Sequence, residues 1–297
     1  MRIVVNGVEL RGDLVRFAVL RNDAIPVPMT LEAEIRIDES IESGLKEGQV
    51  ITAGVNEDKF YIIKSVKAVD RNSQGQHDMQ SVKITALLES CYKVSFVREN
   101  PIVKEKATLS QCYKASGATL QAIDADFPID KFHCYVGESP TFHISRACQE
   151  NGGIIRWKKG KMKFFKLPDL FKQEPIMAIP NNSAQDIASG FSERHAIQFF
   201  YSLDPSGNFV YGNRGKARSA RFMPFMNESQ LRNLTRCLVQ RKIARIYYSE
   251  DICAGDLINV VGAKPLVVVT AAHVSQSGTD GSPPEQYTRL WLNSLEE

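Results

Sequence analysis

The sequence predicts a mainly β protein in which two similar β barrels flank an α+β insert. Three observations predict it: a unit near residue 48 is written again near residue 255, the flanks alternate with period two, and helix-start signals cluster in the middle. The repeat matches in plan. "EGQVITAGVNEDKFYIIKSVKAV" (47–69) and "AGDLINVVGAKPLVVVTAAHV" (254–274) each place a glycine, Gly48 or Gly255, before a polar residue and an apolar alternation. A short turn follows in each, "VNEDK" or "GAKP", then a β-branched run and a polar spacer. Both units close on a strand ending in leucine and glutamate, "VKITALLES" and "TRLWLNSLEE", about 35 residues after the glycine.

Along the first ninety residues the elements read as strands. "RIVVNGVEL" sets Asn6-Gly7 between two short apolar runs, a strong local hairpin signal. "LEAEIRID" alternates, with Leu31, Ala33, Ile35 and Ile37 on one face and Glu32, Glu34 and Arg36 on the other, which predicts a half-buried strand. Near residue 100 the pattern changes. Thr108 is placed to cap a helical turn carrying Leu109, Cys112 and Tyr113, and Gly117 to end it. Ser139 and Pro140 suit the N-cap and first position of a second helix, which "NGG" stops. The hairpin "GIIRWKKGKMKFFKL" turns at Lys159-Gly160, which sets Ile155 against Phe164, Trp157 against Met162, Arg156 against Lys163 and Lys158 against Lys161. Strands return in "AIQFFYSL" and "NFVYG" around the turn "DPSG". "NESQLRNLTRCLVQRKIAR" then predicts one long helix, opened by an Asn227–Gln230 capping box and striped by Leu231, Leu234 and Leu238. The domains expected are 1–98 (first barrel), 99–185 (insert) and 186–297 (second barrel with one long helix).

Composition restricts the function. A chain of 297 residues, 43% apolar and 24% charged, is an ordinary soluble globular mixture with room for about two domains. The net charge of +3 is too small to argue for nucleic acid. Cysteines 91, 112, 134, 148, 237 and 253 form no CxxC and read as buried thiols in a reducing compartment. "IVVNGVELRGD" breaks too early for a signal-peptide core, and "PLVVVTAAHV" is far below the ~18 apolar residues a membrane span needs. A soluble chain made in a cytosol, with no membrane partner, is expected.

Chemistry is sparse in the sequence. "GKARSAR" lacks Walker spacing and no Ser sits in a GxSxG elbow. His143, Arg146 and Glu150 share a helical face, which reads as a solvated polar face rather than an acid–base pair because no nucleophile accompanies it. His133-Cys134 and His273 read as core or strand residues rather than metal ligands, and neither metal nor cofactor is expected. The basic residues Arg156, Lys158, Lys161 and Lys163 crowd one face of the hairpin and are the candidate partner contact. Trp157 and Phe164 lie on the other face, which argues against a base-stacking platform.

The insert "GESPTFHISRACQENGGIIRWKKGKMKFF", a short helix ending in Glu-x-Gly before a W-x-x-G-K-x-x-F hairpin, resembles the hub proteins of contractile phage tails; here Asn151 stands between Glu150 and Gly152, and a second glycine follows. "LTRCLVQRKIARIYYSEDICAGDLINVVG" is similar to that family's closing passage, with its Gly-Asp-Leu-Ile turn into a last barrel. The family includes late control protein D-like proteins and the N-terminal part of type VI secretion spike proteins. The resemblance implies two tail-tube-like barrels per chain and a non-enzymatic structural hub of the virion. Its homotrimer would give six quasi-equivalent units that adapt a sixfold tail tube to a threefold central spike and line the delivery channel. Tube protein, spike protein, tape measure protein and neighbouring baseplate proteins are the implied partners. No digestive or spike-forming segment is expected in this chain. The alternatives are a nucleic-acid-binding β barrel using the basic hairpin, and an enzyme centred on His143 and Glu150.

Overall fold

The computed structural model describes residues 1–37, 41–69, 80–187, 197–215, 218–278 and 283–297. Asn6 and Gly7 both adopt positive φ, 52° and 79°, the geometry of a tight hairpin turn, and join β1 (Ile3–Val5) to β2 (Val8–Glu9). β3 (Val15–Asp23), β4 (Met29–Arg36), β5 (Val50–Ala53), β6 (Asp58–Val69) and β7 (Gln80–Leu88) complete the first half of a curled sheet. On β4, Leu31, Ala33 and Ile35 are buried while Glu32 is exposed, as the alternation requires.

The insert opens with β8 (Ile102–Thr108), antiparallel to β10 (Pro128–Cys134). Helix Leu109–Ala115 starts on a Thr108–Gln111 capping box, and its Tyr113, fully buried, donates to the Pro26 carbonyl at 2.9 Å. Helix Pro140–Glu150 follows, and then β11 (Gly153–Lys158) and β12 (Lys161–Lys166) pair in the register the sequence predicts, with β9 (Ile123–Asp124) parallel to β12. Lys159 and Gly160 supply the turn at φ 51° and 73°. The insert and the first half of the sheet share one apolar core running from Ile3 to Phe164.

The second half contains β13 (Met177–Ile179), β14 (Ala184–Asp186), β18 (Cys237–Tyr247), β19 (Leu257–Val260), β20 (Leu266–Gln276) and β21 (Glu285–Glu296). Met177–Ile179 already pairs with Leu257–Val260, so this half draws on residues before 186. A separate small sheet holds β15 (Gln198–Leu203), β16 (Phe209–Tyr211) and β17 (Ser219–Phe222). The predicted long helix is two elements. Helix Glu228–Thr235 forms on the expected capping box, but Cys237–Tyr247 is a strand paired with Glu285–Glu296. The leucine spacing fits a helix as far as Leu234. Beyond it the β-branched and aromatic residues Val239, Ile243, Ile246 and Tyr247 favour a strand, and a complete antiparallel partner is available.

The two halves repeat one strand order. β3-β4-β7-β6-β5 in the first is β14-β18-β21-β20-β19 in the second; the strand beyond differs, since β1 runs antiparallel to β5 and β13 parallel to β19. Each carries a bulge at the equivalent place, between Ile62 and Lys64 on β6 and between Val268 and Thr270 on β20. Gly48 N–H donates to the Ile62 carbonyl at 2.9 Å, and Gly255 N–H to the Val268 carbonyl at 2.7 Å. Both glycines need positive φ, 88° and 85°, which explains the residue choice at the start of each unit. The halves fuse edge to edge: β3 pairs antiparallel with β20 from Asp23↔Thr270 to Phe17↔Gln276, giving one continuous curled sheet.

Candidate partner-contact site

The basic hairpin does not present four free cations. Asp256, 2% exposed in the turn between the Gly255 backbone and β19, accepts Lys158 Nζ at 2.9 Å on both carboxylate oxygens and also receives the Arg156 guanidinium. Its Oδ2 further accepts the Cys253 N–H at 2.9 Å. Gln173 bridges the same junction, accepting from Arg156 at 3.1 Å and donating to the Gly255 carbonyl at 2.9 Å. Arg156 and Lys158 therefore hold the insert to the second half of the sheet. Lys161 and Lys163 remain at the surface, Lys163 lying 4.6 Å above the Phe165 ring.

The other face of the hairpin binds the first half. Trp157 Nε1 donates to Asp58 Oδ1 at 3.1 Å, and Asn22 Nδ2 donates to the Trp157 carbonyl at 3.1 Å. Asn22 Oδ1 accepts the Ala254 N–H at 2.8 Å, so one buried amide touches all three parts of the chain. Burial pushes the Asp58 carboxyl up to about 6, against the Trp157 hydrogen bond. Sequence reasoning missed Asp256, although a signal was present. The residue after the unit's glycine is Gln49 in the first copy and Asp256 in the second, and only the second copy faces the hairpin cations.

His143, Arg146 and Glu150 do share one helix face and line a groove of about 850 Å³ with Lys131, His133 and Asn233. Their polar atoms are paired locally: Arg146 Nε donates to Glu150 at 2.8 Å and His143 Nε2 contacts Glu138 at 2.9 Å. Cys148 on the same helix is buried, which pushes its thiol well above its ordinary range and away from nucleophilic use. His273 is a buried strand residue 3.1 Å from the Thr288 hydroxyl, and burial lowers its pKa to about 4.

The sheet leaves an edge open. β5 covers only Asp58–Tyr61 of β6, and among the described residues no strand lies beside Lys64–Val69 on that side. The Glu47 carboxylate accepts the Ser65 N–H there at 3.2 Å. In the second half the equivalent stretch, Thr270–Gln276, is the one that receives β3. β14, which occupies in the second half the place of β3 in the first, has β18 as its one strand neighbour among the described residues. No helix among the described residues is long and apolar enough to cross a membrane.

No family model and no curated protein matches the chain. Solved structures do match it over nearly its whole length. A tail protein from Neisseria meningitidis MC58 aligns with TM-score 0.65 and 9% identity, over 99% of this chain and 95% of that one. The 43 kDa tail protein of prophage MuSo2 from Shewanella oneidensis aligns with TM-score 0.65 and 11% identity, over 98% and 97%. The E. coli c3393 protein, a type VI secretion component with structural similarity to T4 tail proteins gp27 and gp5, aligns with TM-score 0.59 and 9% identity, over 100% and 77%. The chain has the fold of phage tail and type VI secretion spike-related proteins.

Proposed function

We propose that this chain, with the fold of a phage tail protein, is the non-enzymatic hub of a tail baseplate or tip, a homotrimeric ring of six half-units between a sixfold tube and a threefold spike. The matched edges of the two halves carry this reading. Within the chain, β3 of one half completes β20 of the other. Repeating that operation between chains lays β14 of one protomer against the open edge of β6 in the next. Carrying the register of the internal junction across sets Asp186 opposite Lys67, Gln185 opposite Ala68 and Ile187 opposite Val66. Two of the three pairs are chemically matched, Asp186 with Lys67 as opposite charges and Ile187 with Val66 as apolar neighbours.

Three such contacts close a ring in which every edge of this kind is covered, which also removes exposed strands prone to aggregation. The lines of support for spike and tube partners are the fold itself and the secretion-system role of the E. coli relative. Lys161 and Lys163 are the hairpin residues left at the surface for such a partner. The native mass of the purified chain at micromolar concentration tests the proposal: a trimer is expected, and a stable dimer, with four half-units, would overturn it.

A further inference from the structure

The reversal of the chain after β10 gathers three side chains from a strand end, a turn and a helix start. Cys134 ends β10, Glu138 follows a turn through Gly137 at φ 81°, and His143 sits in the opening turns of helix Pro140–Glu150. Cys134 Sγ, a Glu138 carboxylate oxygen and a His143 ring nitrogen all lie within 4.8 Å of one another. Glu138 is already fixed: its Oε2 accepts the Tyr135 N–H at 2.7 Å and contacts His143 Nε2 at 2.9 Å. The thiol's own polar contacts are to backbone, the Glu138 and Tyr135 carbonyls at 3.7 and 4.0 Å, weak bonds that a metal can replace. His133 stands beside them, its ring centroid 5.8 Å from that of His143.

We propose that Cys134, Glu138 and His143 form a binding site for a zinc-like divalent transition metal. A sulfur–nitrogen–oxygen donor set suits zinc or cobalt and not calcium or magnesium, which take oxygen ligands. Ligands about 2.0–2.3 Å from a tetrahedral ion stand roughly 3.3–3.8 Å apart, so small side-chain rotations complete the site. The ion replaces the thiol proton, and the thiolate and carboxylate together neutralise its two charges. Because a thiolate and not a thiol is the ligand, metal uptake releases a proton and strengthens as pH rises. Three protein donors leave one position for water or His133. The site would pin the end of β10 to the second helix of the insert, and the proposal is independent of the ring.

The test is titration of the folded, metal-stripped full chain with Co²⁺. One equivalent per chain is expected, with tetrahedral visible bands and a near-ultraviolet thiolate-to-cobalt band, displaced by Zn²⁺. Cys134→Ser abolishes the thiolate band. Glu138→Gln, at a half-exposed position, keeps the far-ultraviolet circular dichroism of the wild type and weakens binding by more than about tenfold, the cost of losing even an outer-shell partner. Wild-type protein that binds no Co²⁺ in equilibrium dialysis, or a thiolate band that survives in Cys134→Ser, overturns the proposal.

Discussion

Reversing Lys67 tests the inter-chain register directly. Lys67 and Asp186 are far apart in sequence, both largely exposed, at 60% and 77%, and each has another partner within the chain, Glu42 for Lys67 and Lys242 for Asp186. Reversal sets Lys67→Glu beside Glu42 and Asp186→Lys beside the buried Lys242, so circular dichroism and denaturation of each variant monomer are compared with the wild type first, and only a change in assembly beyond any change in folding counts. Opposed charges across a strand pair contribute ~0.2–1 kcal/mol and like charges oppose pairing by a similar amount, so Lys67→Glu costs about 0.4–2 kcal/mol per contact. A closed trimer has three such contacts, and a total of about 1–6 kcal/mol lowers the trimerisation constant by about 10- to 10⁴-fold at 1.4 kcal/mol per tenfold. Sedimentation velocity over a concentration series reads this as a shift of the monomer–trimer midpoint. Asp186→Lys in the same chain restores the pair with reversed polarity and recovers most of the loss, while either single variant remains weakened. A trimer whose midpoint is unmoved by Lys67→Glu, or a double variant as weak as the sum of the singles, refutes the register.

Four further predictions concern stability within one chain. Asp256→Asn leaves Arg156 and Lys158 facing each other without a carboxylate and is expected to destabilise the fold by ~3–5 kcal/mol, read from chemical denaturation. The equivalent glycines should differ on replacement by alanine. At Gly48 the added methyl meets nothing nearer than the Tyr61 hydroxyl at 3.6 Å, so only the positive φ costs, ~1–2 kcal/mol; at Gly255 it also lies 3.0 Å from Arg156 Cδ, and the loss in denaturation should be larger. Asp58 has a folded pKa raised to about 6, so its contribution favours the fold at low pH and is lost as pH rises from about 4 through 6. Asp58→Asn, whose amide oxygen still accepts from Trp157, should stabilise the protein at pH 8 and lose that advantage near pH 4. His273 runs oppositely: its folded pKa is lowered to about 4, so stability falls as pH drops from about 6.5 towards 4, and His273→Asn flattens that limb of the pH profile.

What the sequence made legible was local or periodic. Asn6-Gly7 and Lys159-Gly160 each fix a hairpin through the φ they permit, and the capping boxes at Thr108 and Asn227 mark helix starts through hydrogen bonds spanning three residues. The repeat was legible because Gly48 and Gly255 meet one steric demand in two places. The end of the second capped helix was not, since the choice between helix and strand after Thr235 is made by residues 285–296, far along the chain. β17 is not legible locally, because its short run pairs in parallel with Gln198–Tyr201, on the far side of a turn and another strand. The basic hairpin was visible as a charge cluster, but its chief counter-charge, Asp256, follows it by about a hundred residues. The Cys134–Glu138–His143 cluster was hidden in another way: strand end, turn and helix were read separately, and only the chain's reversal through Gly137 brings their donors together.

The ladder between β3 and β20 also decides how the chain bears load. Pulled along the strands, the paired residues from Asp23↔Thr270 to Phe17↔Gln276 share the tension, and their hydrogen bonds must give way together. Pulled across the sheet, the same bonds open one after another from an end, as a zip does, at far smaller force. A thrust along the strand direction therefore meets a stiff joint, and a splaying motion meets a soft one. The chain is mechanically anisotropic, and the direction in which its neighbours push determines whether it behaves as a strut or a hinge.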